Sequence, residues 1–440
     1  MTFDQLVTLA VLAAVVAALI WDKMRADVVA LTGAAILLMT GAVRPSEVQG
    51  AFGSPAIIAL ASLFVIAYAM ELTGLLDRAI QLLVKVCGRI GSAGLWLMMI
   101  ISASASAFLN NTPIVVLAAP VVRDVSLQLK LNPQRYLIPL SYMAILGGSC
   151  TLIGTSTNLL VNDMARVSGQ PQFGLFEITP VGLTVAVAGA IYLFLFSGKV
   201  IARGQKERDE HLPPPVPVPD YHDPDLAGAQ IGSPDMFEEH RPLQRGKALI
   251  AVMVFIGAIL AAALNIAPIA ASAFAGAVLL ILLRVLTPDE AYSGLRPQIL
   301  MLIVGMVVLG IAIEQSGLAA DVTGALVSVL DRMSPLIALI FLYAATLLLT
   351  EILSNATVAV LVTPIAVALA EGLGVSPRPF LVAVMMAGSA AFATPFGYQT
   401  NVIVYQIGGY SYMDFVRVGL PLNLVTLIAG VIGITIFFPF

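Results

Sequence analysis

Long apolar runs dominate the chain, and its polar residues gather in short clusters between them. Runs at 4–21, 27–43, 56–74 and 177–198 each approach the roughly 20 residues that a helix needs to cross a bilayer. A second set at 248–264, 270–286, 298–316 and 418–438 repeats the first. Between the third and fourth member of each set the pattern changes. Residues 91–125 and 335–370 read as hairpins that enter without crossing, and 136–165 and 379–407 as crossing helices interrupted by Gly, Pro and hydroxyl residues. The expected fold is all-α: two repeats over 1–199 and 248–440, each with five transmembrane helices and one re-entrant hairpin, joined by a linker over 200–247. Five crossings is an odd number, so the two repeats are expected to sit upside down relative to each other.

The repeat is visible residue by residue. Gly33 falls on Gly276, Pro45 on Pro288, Glu47 on Glu290, Glu71 on Glu314, Gly74 on Gly317, Pro120 on Pro364 and Asn158 on Asn401. Homologous halves in a very hydrophobic chain mark a secondary transporter whose substrate site lies where the halves meet. Composition agrees: 59% hydrophobic and 11% charged residues, with a mean hydropathy of +0.97, call for lipid as the solvent. The first apolar run matches a helix of the second half, so it reads as part of the fold and not as a cleaved signal.

Lysine and arginine test the topology independently. With both termini outside, 18 of the 22 fall on the inner side and only Arg44, Arg166, Arg332 and Arg378 on the outer, as the positive-inside rule requires. The linker is then cytoplasmic, the first hairpin opens from the cytoplasm and the second from outside. The linker is proline-rich and acidic and holds all three histidines, His211, His222 and His240, which reads as a solvated tether. No histidine lies in a predicted span, which excludes a histidine proton relay. Cys87 and Cys150 offer neither a disulfide framework nor zinc spacing. With no HExxH or GxSxG pattern, an enzyme is not expected, and the re-entrant tips suit alternating access better than a channel.

The chemistry is expected where helices break. LNNTPIVVLAAP at 109–120 and LSNATVAVLVTP at 353–364 place a polar cluster between apolar half-helices, and GGSCTLIGTSTN at 147–158 and AAFATPFGYQTN at 390–401 unwind the crossing helices. Backbone groups freed there need partners, since an unmet one in hydrocarbon costs several kcal/mol. Half-helix N-termini near Thr112 and Thr357 suit an anion, and freed carbonyls with Asn and Ser oxygens suit sodium. No Lys or Arg falls in this region, so a divalent anion would be held by hydroxyls, amides and co-bound sodium. Glu351 is the one acid near a hairpin tip and reads as a cap or helix-end contact, with tuning of the outer sodium site or titration in a proton-coupled variant as the other reading. Glu71 and Glu314 read as architectural acids.

These motifs resemble the divalent anion/sodium symporter family of the ion transporter superfamily, which also holds arsenite pumps and sodium/proton antiporters. The resemblance covers nearly the whole chain outside the linker and is strongest in AFLNNTPIVVLAAPVVRD, ILGGSCTLIGTSTNL and FATPFGYQTNVIVYQIGGYSYMDFVRVGLPLNL. It implies a homodimer with scaffold and transport domains that moves sulfate or di- and tricarboxylates with sodium by an elevator motion in a bacterial inner membrane. The family's Ser-Asn-Thr signature is altered here to Asn110-Asn111-Thr112 and Ser354-Asn355-Ala356, with Thr357 one place later. Asn-Asn-Thr-Pro resembles the sulfate/citrate-transporter-like branch, and the linker is too short for the RCK (TrkA C-terminal) domains often found between its halves. Loss of the second threonine leaves carboxylate preference open.

The expected substrate residues are Asn111, Thr112, Thr151, Asn355, Thr357, Thr394 and Pro395. The expected sodium ligands are Ser106, Asn110, Asn111, Gly154, Thr350, Ser354, Asn355 and Ala393, of which Ser106 and Thr350 rest on the resemblance. No organic cofactor or nucleic-acid partner is expected. A sodium/proton antiporter or arsenite-type exporter on the same fold is the alternative.

Overall fold

The computed structural model of the protein describes residues 2–21, 24–75, 78, 91–198, 200–201, 243–264, 266–295, 297–318 and 334–440. Cys87 and the three histidines, with most of the linker, lie outside the described residues. Within them the first half runs through α1 (Phe3–Trp21), α2 (Ala26–Thr40), α3 (Pro45–Phe52), α4 (Pro55–Leu72), α5 (Ser92–Ser106), α6 (Asn111–Gln128), α7 (Gln134–Gly148), α8 (Ser156–Val167) and α9 (Thr179–Tyr192), the last continued by a π-helical turn at Leu193–Ser197. The second half repeats this order as α10 (Arg245–Ala263), α11 (Ile269–Leu282), α12 (Pro288–Gly294), α13 (Pro297–Gln315), α14 (Pro335–Thr350), α15 (Asn355–Gly372), α16 (Arg378–Gly388), α17 (Gln399–Gly408) and α18 (Tyr412–Phe437). Among the described residues there is no strand.

Two of these elements escape a reading by apolar runs. The short helices α3 and α12 are set by the repeated Pro-x-Glu: the proline opens the first turn, where its missing N–H is no loss, and the glutamate folds back on the chain. Glu290 accepts from Thr287 N at 2.8 Å while Thr287 Oγ1 accepts from Glu290 N at 3.2 Å. In α3, Glu47 accepts from Arg44 N at 2.7 Å. The last helix also begins earlier than hydropathy suggests, because Ser411 and Asp414 cap it, with Asp414 accepting from Ser411 N at 2.8 Å. Pro421 lies inside it without ending it.

Five described helical segments are each long and apolar enough to cross a membrane, and seven shorter apolar helices accompany them. One of the five is α15, the second arm of a hairpin. Each interrupted helix is divided into two short pieces, α7 with α8 and α16 with α17, neither piece being long enough alone.

The halves interleave. In one group α2 packs on α13, α4 on α11, and α1 and α10 flank them. In the other, both hairpins, both interrupted helices, α9 and α18 pack together, with α8 on α15 and α17 on α6 and α7. Glycines permit the tightest approaches there. A methyl group at Gly147 would meet the carbonyl of Ala103 on α5, and one at Gly419 would meet that of Phe392. The groups touch through α13, α4, α8 and α15.

A polar tie crosses this boundary. Ser54, just before α4, donates to Asp163 Oδ2 on α8 at 2.7 Å, and both residues are buried. Arg166 holds the other oxygen of Asp163 at 3.0 Å. Replacing Asp163 with alanine removes the buried acceptor of the Ser54 hydroxyl, at about 1–3 kcal/mol. The Asp163→Ala protein is therefore expected to unfold at a clearly lower temperature, whereas Gln170→Ala, on an exposed contact to Glu371, should not. Thermal unfolding of both purified variants checks this.

Candidate functional site

The two hairpin tips, at 107–110 and 351–354, each face the broken segment of their own half, 149–155 and 389–398. At the first tip Asn110 caps α6, its Oδ1 accepting from Thr112 N at 3.2 Å. Asn111 is buried, and its Oδ1 accepts from the Ser106 hydroxyl. Across from it runs the break after α7, where two glycines leave room. A Cβ at Gly148 would lie 2.5 Å from Asn111 Oδ1. One at Gly154 would lie 2.8 Å from the carbonyl oxygen of Ala107, 2.9 Å from that of Ser106, and against that of Gly148. Ser106, Asn111 and Gly154 are thus brought together in a pocket of converging oxygens. Such a set of hard, neutral oxygen ligands suits a small alkali cation.

Thr151, expected at the substrate, is buried within the break. Its hydroxyl donates to the Ala107 carbonyl and accepts from Gly154 N at 3.1 Å, and Asn158 Nδ2 donates to the Thr151 carbonyl at 2.9 Å. Its role in the geometry is to tie break to tip.

The second tip repeats this plan with several residues changed. Ser354 caps α15, and its hydroxyl pairs with Thr357 Oγ1 at 2.7 Å, so Thr357 is fully buried inside the turn. Thr350 donates toward Asn355 Oδ1 at 2.8 Å and also lies 2.8 Å from the Gly388 carbonyl. Thr394 bonds Gly397 N at 3.1 Å, as Thr151 bonds Gly154 N, and Asn401 holds the Ala391 and Thr394 carbonyls at 2.9 and 3.2 Å, the second matching the bond from Asn158 to the Thr151 carbonyl. Where the first tip has Ala107, the second has Glu351. Its Oε1 accepts from Phe392 N at 2.9 Å, Ala393 N at 2.7 Å and Asn423 Nδ2 at 2.8 Å, and its Oε2 from the Thr394 hydroxyl at 3.0 Å. Glu351 is therefore the cap of the second break. Ala393 and Thr394 are both engaged by it, and Pro395 lies buried just beyond.

Residues that a sequence reading passes over cross between the halves. Ser141 on α7 lies 2.8 Å from Thr400 Oγ1 and donates to Asn401 Oδ1 at 2.7 Å, and the Tyr142 hydroxyl donates to the Phe392 carbonyl. Tyr398 and Gln399 reach back to Asn111 and Thr112. Only their polar character inside a break hinted at them. Among the described residues no group of three or more His, Cys, Asp or Glu could hold a metal ion.

The citrate transporter family model matches residues 16–376 and 348–439, the two matches overlapping at the second tip. The chain belongs to this family. It is a transporter and a multi-pass integral membrane protein, not an enzyme. An uncharacterized transporter of Synechocystis is 26% identical, over 96% of this chain and 95% of its own. A sodium-dependent dicarboxylate transporter of Staphylococcus saprophyticus is 23% identical over 92% of this chain and 80% of its own. Sodium/sulfate cotransporter 1 of Chlamydomonas reinhardtii is 33% identical over 36% of this chain and 18% of its own. Among solved structures, the YdaH transporter of Alcanivorax borkumensis superposes with a TM-score of 0.61 at 14% identity, covering 89% of this chain and 87% of its own. That likeness concerns the fold alone. The resemblance to divalent anion/sodium symporters agrees with these relatives.

Proposed function

We propose that the protein is a sodium-coupled symporter of a divalent anion, sulfate or a small di- or tricarboxylate. The observation that carries this reading is the pairing at each tip: an asparagine carbonyl turned toward a hydroxyl and freed backbone carbonyls, beside hydroxyl and amide donors, with no lysine or arginine among them. The carbonyl side supplies cation ligands, Ser106, Asn110, Asn111 and Gly154 at one tip and Thr350, Ser354, Asn355 and Ala393 at the other. The donor side supplies the anion's contacts, from Asn111, Thr112, Asn355 and Thr394, with Pro395 as an apolar wall of the same site and Thr151 and Thr357 shaping the loops behind them.

Coupling follows from electrostatics. A divalent anion entering a low-dielectric centre without a fixed positive charge is opposed by many kcal/mol, and sodium bound beforehand offsets that opposition. The names of the sodium/sulfate and sodium-dependent dicarboxylate relatives support the same coupling.

The two packing groups correspond in this reading to a scaffold and a transport domain. The inverted repeat, ten crossings and cytoplasmic linker complete the proposal, supported by the charge asymmetry and by the repeated order of helices; a homodimer and an elevator motion in a bacterial inner membrane rest on the family resemblance alone.

Uptake of labelled sulfate, succinate and citrate into proteoliposomes, with and without an inward sodium gradient, tests the reading. Sodium-driven uptake of one anion, reduced at least 100-fold in Asn111→Ala and Asn355→Ala, is expected. Sodium or proton exchange without any anion uptake would replace it with the antiporter reading.

A further inference from the structure

The two breaks begin their second half-helices differently. In the first half, Thr155 precedes α8 and its hydroxyl accepts from Thr157 N at 3.4 Å. The matching residue before α17 is Tyr398, whose side chain makes no capping bond. Its hydroxyl instead accepts from Asn111 Nδ2 at 2.8 Å and lies 3.5 Å from Thr155 Oγ1. The next residue, Gln399, accepts the Thr112 hydroxyl on its Oε1 at 3.2 Å. Two adjacent residues of the second half thus supply neutral oxygens to two adjacent donors of the first tip.

This arrangement fixes the Asn111 amide. Its carbonyl faces Ser106 and Gly148, and its amino group faces Tyr398. The second tip lacks the counterpart: Asn355 Oδ1 pairs with Thr350, no bond to Asn355 Nδ2 occurs among the described residues, and Thr357 turns to Ser354. The lock is one-sided.

Sulfate and carboxylates carry only acceptors, so they need donors such as the Asn111 amino group and the Thr112 hydroxyl. Here the Thr112 hydroxyl and one N–H of Asn111 are already taken by neutral oxygens. A displacing ligand must bring oxygens that accept more strongly than a phenol or an amide. Charge-assisted bonds are about twice as strong as neutral ones, so an anion qualifies and a neutral polyol does not. Gln399 is exposed while Asn111 and Thr112 are buried, so the glutamine can swing aside without leaving a core.

We propose that Tyr398 and Gln399 are specificity-determining residues of the anion site, holding the donors of Asn111 and Thr112 until an anion displaces them. This inference rests on the symport reading above.

The test combines sodium-driven uptake of sulfate and succinate in proteoliposomes with the sodium-dependent thermal shift of the purified protein. Gln399→Glu builds in a permanent competing carboxylate, so KM for the transported anion should rise at least tenfold while the sodium shift persists. Gln399→Ala removes a competitor, so KM should fall several-fold and the sulfate-to-succinate preference should change. Tyr398→Phe frees one donor and should also alter that preference. If Gln399→Glu loses the sodium shift as well, the other two variants decide. Kinetics and preference within twofold of wild type in all three would overturn the inference while leaving the symporter intact. Absence of sodium-driven anion uptake in the wild type would instead overturn the symport reading, and this inference with it.

Discussion

Glu351→Ala is expected to destabilise the protein severely and abolish transport, whereas Glu351→Gln should fold. The carboxylate is the shared acceptor of Phe392 N, Ala393 N, Asn423 Nδ2 and the Thr394 hydroxyl, and it holds the second break against its hairpin tip. Alanine leaves these donors without an acceptor at about 1–3 kcal/mol for each buried one. Three stranded N–H groups approach the 5–15 kcal/mol that keeps a typical domain folded. Glutamine retains a carbonyl oxygen for the two backbone amides, and its amino group can bond the Thr394 oxygen. Thermal unfolding of both variants, followed by uptake, decides the matter. An alanine variant that melts with the wild type would show that the break holds itself.

Gly154→Ala should remove sodium-driven uptake by at least 100-fold and lower the unfolding temperature. The added methyl would lie 2.8 and 2.9 Å from the Ala107 and Ser106 carbonyl oxygens, closer than real Cβ contacts come, so it would push apart the oxygens proposed to bind sodium. Those neighbours are backbone and yield little. At the matching Gly397 the methyl would meet the Ala391 methyl and the Thr394 hydroxyl at 2.8 Å, with Glu351 Oε2 at 3.5 Å. Gly397→Ala should therefore disturb Glu351 and Thr394 without filling a ring of carbonyls, and sodium dependence should survive better. Uptake measured against sodium concentration separates the two variants. Equal sodium dependence in Gly154→Ala and wild type would remove the first tip from sodium binding.

The sites of helix breakage were legible because their cause is local. Asn110 and Ser354 cap half-helices with their own side chains, and glycine or proline unwinds the segments at 149–155 and 389–398. Both effects act within a few residues along the chain. The sequence pointed to Ser106 and Thr350 only through the family resemblance; their pairing with Asn111 and Asn355, five residues on, is seen in the structure. Thr151 and Thr357 show the limit of that reading. Each stands in a polar cluster, but their hydroxyls turn to Ala107 and Ser354, a choice made by the packing of the loop.

Sequence alone determined that the chain is all-helical, apolar enough to need lipid, doubled, and broken at four polar motifs, because composition, periodicity and capping depend on near neighbours. Tertiary structure decided which break meets which tip, that Glu351 caps the second break through residues more than 40 positions away, and that Tyr398 and Gln399 reach the opposite tip across 287 positions. No local rule contains those pairings. They arise because buried polar groups must find partners wherever the packed helices bring one within about 3 Å.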